Sequence, residues 1–343
     1  MRAGYIDGIK QASFRTDLPE PQITAPGQVK IRVHVTGICG SEIHAYNGVH
    51  AWRVPPLVSG HEFAGQVVEI GSDVTMCKVG DRVTAEPQYG CGHCSQCRSG
   101  RPNLCRDKKI LGATYWSGSF GEYIVVPQET VVHLSDNVSY EEGALLEPVA
   151  VGLHAVRHNG VNENTRVVII GTGTIGLGVY LSARLYGAKE IIMVDVVDFN
   201  LEKARELGAE HTINSAREDA EARILELTGG EGADITFLAF GNQPTVELAA
   251  KVTRAGGRIS EIAVIPKGVT FPLDQLQVKA LELVGSNMYV REDFLILANA
   301  VERGKLDLLK LVTHHFPIEK MPEAMEMMDQ HKEPVVKILL HFS

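Results

Sequence analysis

Four of the chain's six cysteines, Cys91, Cys94, Cys97 and Cys105, lie in one stretch, CGHCSQCRSGRPNLC, with C-x2-C-x2-C-x7-C spacing. Four thiolates from one short loop can close a tetrahedron around zinc, which suits a structural ion because no position is left for a substrate. The C-x3-C-P ending of ferredoxin iron–sulfur sites is absent, so zinc is the expected metal. His93 lies inside the loop, surplus to a complete ligand set. A second set of ligand types is scattered: Cys39 in TGICGSEIHAY, His61 and Glu62 in SGHEFAG, and Glu147 in ALLEPVAVG. These are expected at loops or strand ends, and a catalytic zinc takes about three protein ligands and keeps one position open. Spacing alone does not bring the four together.

VVIIGTGTIG sets Gly171, Gly173 and Gly176 in G-x-G-x-x-G spacing, with Ile175 in the same turn. Glycines there permit a tight turn and close backbone approach to a pyrophosphate at a helix N-terminus. The motif follows an apolar run and opens a helical pattern. Asp195 ends the next apolar run 19 positions beyond Gly176, close to the ~20 expected of a carboxylate on the adenosine ribose. A carboxylate accepts from a free 2′-hydroxyl and repels a 2′-phosphate, and DVVDFN holds no arginine to offset it. NAD rather than NADP is the expected cofactor.

The elements that must position these residues are of two textures. To about residue 150 the chain reads as short strands: QVKIRVHV alternates apolar and polar residues with period two, and FAGQVVEIG, GDRVTAEP and GEYIVVP follow between glycines and prolines. A partly open antiparallel barrel is the expected packing. From about residue 152, apolar runs alternate with amphipathic segments (RVVII then 174–186, EIIMVD then 200–207, HTIN then 218–227, ADITFLAF then 243–254, GRISEIAVI, LELVGS), the pattern of a doubly wound parallel sheet. Helical patterns at 291–303 and 318–330 precede PVVKILLHF, a strand expected to rejoin the first domain. The expected organisation is therefore 1–151 with 286–343 as one domain and 152–285 as the other.

With 343 residues, 44% hydrophobic and 22% charged, the chain can bury two cores. A formal net charge of −9 without a basic run excludes nucleic acid and anionic membranes as natural partners. No apolar run approaches membrane-spanning length, and MRAGYIDGIK lacks the apolar core of a secretory signal. A reducing, cytoplasmic setting is expected, where clustered thiols bind metal rather than pair.

TGICGSEIH, GHEFAGQVVEIG, VGDRV, the four-cysteine loop, GSFGEY, LLEPVAVGLHA and GTGTIGLG stand in the order and spacing of the zinc-dependent medium-chain dehydrogenases, which the chain resembles along essentially its whole length. Within that family it looks most like the polyol (sorbitol-type), sugar-acid and threonine dehydrogenases. The resemblance implies a GroES-like catalytic domain interrupted by a Rossmann domain, with the active site between them. It implies a catalytic zinc on Cys39, His61 and Glu62, with Glu147 either a further ligand or the group orienting zinc-bound water. It implies a structural zinc on the four-cysteine loop and a proton relay from Ser41 towards His44. Homo-oligomers, dimers or tetramers, are usual in such enzymes.

The implied reaction is NAD-dependent oxidation of a secondary alcohol of a polyol or related sugar derivative to a ketone. Threonine, another amino alcohol, or a small diol such as 2,3-butanediol is the alternative substrate. Gln88 stands where threonine dehydrogenases resemble one another in a histidine, and Met288 precedes Tyr289 where sorbitol-type enzymes have an arginine. A non-catalytic NAD-binding descendant of the fold is the rival outside enzymes. Loss of zinc ligands would mark it, and every ligand type is present.

Overall fold

The alternation in QVKIRVHV is realised as the strand Gln28–Ile38, whose Val29, Ile31, Val33 and Val35 are buried. The computed structural model describes all 343 residues. They divide into two units, Met1–Glu147 with Val290–Ser343, and Pro148–Tyr289. No helix is long and apolar enough to cross a membrane.

In the first unit Gln28–Ile38 is the central strand of a seven-stranded sheet. Glu62–Ile70 runs antiparallel along one edge. The other edge is shared: residues 28–32 pair with Tyr123–Pro127, and residues 35–38 pair with Lys337–His341. Serving two partners in succession requires the strand to bend, and its register against Glu62–Ile70 shifts at Lys30/Ile31 and Val33/Val35. Gly65 makes the bend possible, because a Cβ there would stand 2.0 Å from the Arg32 carbonyl oxygen. Arg82–Ala85 and Val131–His133 extend the sheet antiparallel on one side. Val312–Pro317 extends it on the other as a parallel neighbour of Lys337–His341. Phe63, Val67, Val83, Ile124, Ile338, Met321 and Met325 fill the core beneath it.

The second unit is a six-stranded sheet, parallel throughout. Its spatial order is His211–Asn214, Glu190–Asp195, Arg166–Ile170, Ala233–Leu238, Thr253–Glu261, Glu282–Gly285. Counted along the chain this is the 3-2-1-4-5-6 order of a dinucleotide-binding doubly wound sheet, whose switch point lies beside its first strand, Arg166–Ile170. Val168, Ile170, Ile192, Val194, Ile213, Leu238 and Ile259 are buried in its core, as the continuous apolar runs of a sheet covered on both faces require.

One element departs from the sequence reading. Glu147 was expected on a loop or strand end; it lies within a helix, Tyr140–His158. The helix starts at a reciprocal cap: Ser139 Oγ accepts from Glu142 N at 3.1 Å, and Glu142 Oε2 accepts from Ser139 N at 2.8 Å. The S-x-x-E pattern of SYEE carries that signal. The apolar texture of GALLEPVAVG masks the helical period, and Pro148 reads as a breaker although it is accommodated inside the helix. The two units divide at Glu147/Pro148 and Tyr289/Val290, within this helix and just ahead of the helix Arg291–Glu302.

Candidate active site

The bent strand delivers its ligands by register. Gly37 pairs with Glu62, and the space a side chain would occupy at Gly37 is taken by the Glu62 carboxylate, whose Oε2 would lie 2.0 Å from a Cβ there. Two residues beyond Gly37, Cys39 caps the short helix Gly40–Tyr46. One residue before Glu62 stands His61. Ligand atoms of Cys39, His61 and Glu62 all lie within 4.8 Å of one another, with His61 and Glu62 buried. A thiol, an imidazole and a carboxylate converging in this way match the donor preferences of zinc.

Two buried ion pairs hold these groups. Glu42, completely buried, accepts from Cys39 N at 3.0 Å, from Ser59 Oγ at 3.1 Å and from His61 Nδ1 at 2.8 Å. The Arg53 guanidinium lies beside the same carboxylate, Nε to Oε1 3.3 Å. Burial by itself would raise the Glu42 pKa; His61 and Arg53 outweigh it and hold the carboxyl at about 2. Burial works against a charge on His61 too, but Glu42 more than offsets it, so His61 is well above its ordinary value. With Nδ1 committed to Glu42, Nε2 is the ring nitrogen of His61 left to face the cluster, the usual carboxylate–histidine support of a metal site.

The second pair is Lys337 with Glu62. The buried ammonium donates to both Glu62 oxygens, at 2.7 and 2.8 Å, and to the Ile38 carbonyl at 3.1 Å. Burial pulls the Lys337 pKa down, and the charges of Glu62, Cys39 and Glu147 outweigh it. The Lys337 ammonium is thus held charged against Glu62. Glu147 acts on Lys337 at this distance but is not among the donors within 4.8 Å of one another. From the sequence, Glu42, Arg53 and Lys337 were given no role. Glu42 is one turn from Cys39, a signal of sorts; Arg53 and Lys337 had none.

Ser41 lies in the first turn of Gly40–Tyr46, and its hydroxyl is buried with no hydrogen-bond partner. An orphaned buried hydroxyl is costly and marks a place where a ligand atom belongs. His44 lies three residues on, in the last turn of the same helix, and is exposed. Gln88 is buried, and Tyr289 is completely buried.

The four-cysteine loop closes on itself. The sulfurs of Cys91, Cys94, Cys97 and Cys105 lie within 4.8 Å of one another, and none is in a disulfide. Backbone amides point inward: Cys97 N lies 3.5 Å from Cys94 Sγ, and Cys91 N 3.4 Å from Cys105 Sγ. The amide of Cys97 draws the Cys94 thiol down to about 7, which favours the thiolate that binds metal. Gly90 must lack a side chain, since a Cβ would stand 2.6 Å from Cys97 Sγ. His93 is exposed, its Nδ1 2.9 Å from the Cys91 carbonyl.

In the second unit the three glycines of the turn have different reasons. Gly171 has φ +96° and faces Phe240, whose Cβ would be 2.6 Å from a Cβ at this position. Gly176 packs on Gly171, where a Cβ would stand 1.8 Å from the Gly171 carbonyl oxygen. Gly173, the N-cap of Thr174–Leu185, has nothing within 4 Å of a would-be Cβ, so no protein contact demands glycine there. In a G-x-G-x-x-G turn the middle glycine is the position that lets the backbone approach a pyrophosphate. Ile175 follows in the first turn of that helix. Asp195 ends the neighbouring strand and accepts from Thr172 N at 2.6 Å, Val196 N at 2.7 Å, Val197 N at 2.9 Å and Asn200 Nδ2 at 3.2 Å. Those donors fix the Asp195 carboxylate against the glycine turn.

Residues 25–136 match the alcohol dehydrogenase GroES-like domain, and residues 174–303 match the zinc-binding dehydrogenases. The chain is 36% identical to sorbitol dehydrogenase 1 of Saccharomyces cerevisiae over 94% of its own length and 93% of that protein's. It is 37% identical to L-idonate 5-dehydrogenase of Vitis vinifera, covering 94% of this chain and 90% of the relative. Among solved structures, 2R,3R-butanediol dehydrogenase from Bacillus subtilis superposes with a TM-score of 0.90 at 32% identity, covering 100% of this chain and 99% of that one.

Proposed function

Because the chain belongs to the zinc-dependent medium-chain dehydrogenase family, we propose that it oxidises a secondary alcohol of a polyol or related sugar derivative to a ketone with NAD. The observation that carries this reading is the convergence of Cys39, His61 and Glu62 within 4.8 Å. Zinc held by these three supplies Lewis acidity towards the substrate hydroxyl, and NAD supplies the hydride acceptor. Glu147 would serve either as a further ligand or as the group that orients water at the metal. Cys91, Cys94, Cys97 and Cys105 hold a second, structural zinc.

Ser41 takes the alcohol proton: its hydroxyl is buried, unpartnered and two residues from Cys39. His44, exposed at the end of the same helix, hands the proton to solvent. The unit of residues 1–147 and 290–343 serves as the catalytic domain, and that of 148–289 as the NAD-binding domain. Gly171, Gly173, Ile175 and Gly176 seat the dinucleotide, and Asp195 receives its adenosine ribose. The reading also places the enzyme in the cytoplasm, where the clustered thiols stay reduced, as a homo-oligomer.

The names of the sorbitol and idonate dehydrogenases support a polyhydroxylated substrate, and that of the butanediol dehydrogenase supports a vicinal diol. Steady-state rates with NAD and NADP on sorbitol, xylitol, galactitol, sugar acids, 2,3-butanediol and threonine test the proposal. A polyol is expected to give the highest kcat/KM, with NAD. Turnover of threonine alone, or of none of these by zinc-replete protein, overturns it.

A further inference from the structure

A third cluster of ligand types lies in the first unit and shares no residue with either of the others. His315 on the strand Val312–Pro317, His341 on Lys337–His341 and Glu141 in the first turn of Tyr140–His158 converge at the surface. His315 Nδ1 and His341 Nε2 are 3.0 Å apart; Glu141 Oε1 is 3.6 Å from the first and 3.7 Å from the second. One edge of this triangle is a hydrogen-bond distance. The other two are too long for hydrogen bonds, yet the carboxylate oxygen faces both nitrogens almost equally.

Donors each roughly 2.0–2.1 Å from a tetrahedral zinc stand about 3.3 Å from one another. The observed edges bracket that value, so an ion seated above the triangle needs shifts of only a few tenths of an ångström. We propose that Glu141, His315 and His341 form a third metal site, for a borderline divalent transition ion such as zinc. Two imidazoles and one carboxylate select such ions over magnesium or calcium, which prefer all-oxygen shells.

The framework is stiff enough to present the donors without a large ordering cost. His315 pairs with Leu339 and Pro317 with His341 in the parallel ladder, so the two histidines are diagonal neighbours two residues apart. Their rings are tilted by 34° with centroids 5.2 Å apart. Glu141 is anchored by its neighbour Tyr140, whose ring stacks on His34 at 4.5 Å, with the Arg82 guanidinium 4.5 Å from its centroid. Phe342 N donates to the His34 carbonyl at 2.9 Å, closing the frame around His341. The side chains of His315, His341 and Glu141 are 52%, 33% and 32% exposed, so water can complete the shell. An ion there ties the start of the Glu147 helix to the two strands through which the chain returns to the first unit.

The full chain as purified, with whatever metal it holds, is titrated with Zn2+ by calorimetry and by elemental analysis after gel filtration. It is compared with H315Q/H341Q and with the near-isosteric Glu141→Gln. Wild type is expected to take up one more equivalent at micromolar Zn2+ than the double variant, and E141Q to bind that equivalent at least tenfold more weakly. Added Zn2+ raises the Tm of wild type and not that of the double variant. Cu2+ bound to wild type shows hyperfine coupling to two imidazole nitrogens, which the double variant lacks. Equal uptake by wild type and the double variant overturns the proposal, as does no Cu2+ signal from two imidazoles. Because E141Q changes no backbone or bulk, it decides the matter even if the double variant fails to fold.

Discussion

Glu42 concentrates the physics of the site in one side chain. It is completely buried, which disfavours its charge, yet three hydrogen bonds and the flanking Arg53 keep it ionised. Its position aims His61, and Glu42→Gln removes the charge that pulls on Nδ1. The expected result is zinc bound roughly 10–100-fold more weakly at this site alone, measured by chelator competition, with the four-cysteine ion unaffected. Glu86 offers a contrasting case. Burial pushes its carboxyl from an ordinary 4.5 up to about 7, against the pull of Arg291. Below pH 4.5 both folded and unfolded chains hold this proton. Between there and pH 7 the unfolded chain releases it first, so stability from this group is lost as pH rises. Glu86→Gln removes that loss, by at most on the order of 3 kcal/mol. Urea unfolding of both proteins at pH 5 and pH 8 checks it: the variant gains on wild type only at the higher pH.

Register does at the level of the element what hydrogen bonds do at the residue. Gly37 faces Glu62 across the ladder, and the missing side chain is where the carboxylate sits. Gly37→Ala must either open the pair Gln28–Ile38/Glu62–Ile70 or turn Glu62 away from Lys337. The expected outcome is loss of the zinc held by Cys39, His61 and Glu62 and at least about a 100-fold fall in kcat/KM, comparable with misplacing a catalytic group by an ångström. Elemental analysis and kinetics on the same preparation read both. The helix Tyr140–His158 shows how an element can be hidden: its cap, Ser139 with Glu142, is plain in SYEE, while its middle reads as an apolar strand ending at a proline. Only the burial of its neighbours makes the helix the better solution, since Leu145, Leu146, Val149, Ala150 and Leu153 are all inaccessible to solvent.

For the whole molecule, the Cys39, His61 and Glu62 cluster and the glycine turn lie in different units. Asp195 belongs to the second, where four donors hold its charge beside the glycine turn. Asp195→Ser removes the repulsion of a 2′-phosphate and one anchor of the turn together. The expected result is about tenfold lower kcat/KM with NAD and higher kcat/KM with NADP, read from paired initial-rate curves, with metal content unchanged. Local patterns in the chain determined a great deal. Contiguous thiols, a glycine turn, a period of two and a period of apolar runs each report physics that acts over a few residues, and these specified the parallel sheet, five of the seven strands of the other sheet, the thiol knot and the glycine turn. The tertiary structure alone decided what depends on distant segments meeting. Lys337 lies 275 positions from Glu62, and Glu141 174 and 200 positions from its two histidines. No spacing rule couples such residues, because a bent strand and a parallel ladder, not the chain between them, set the distance.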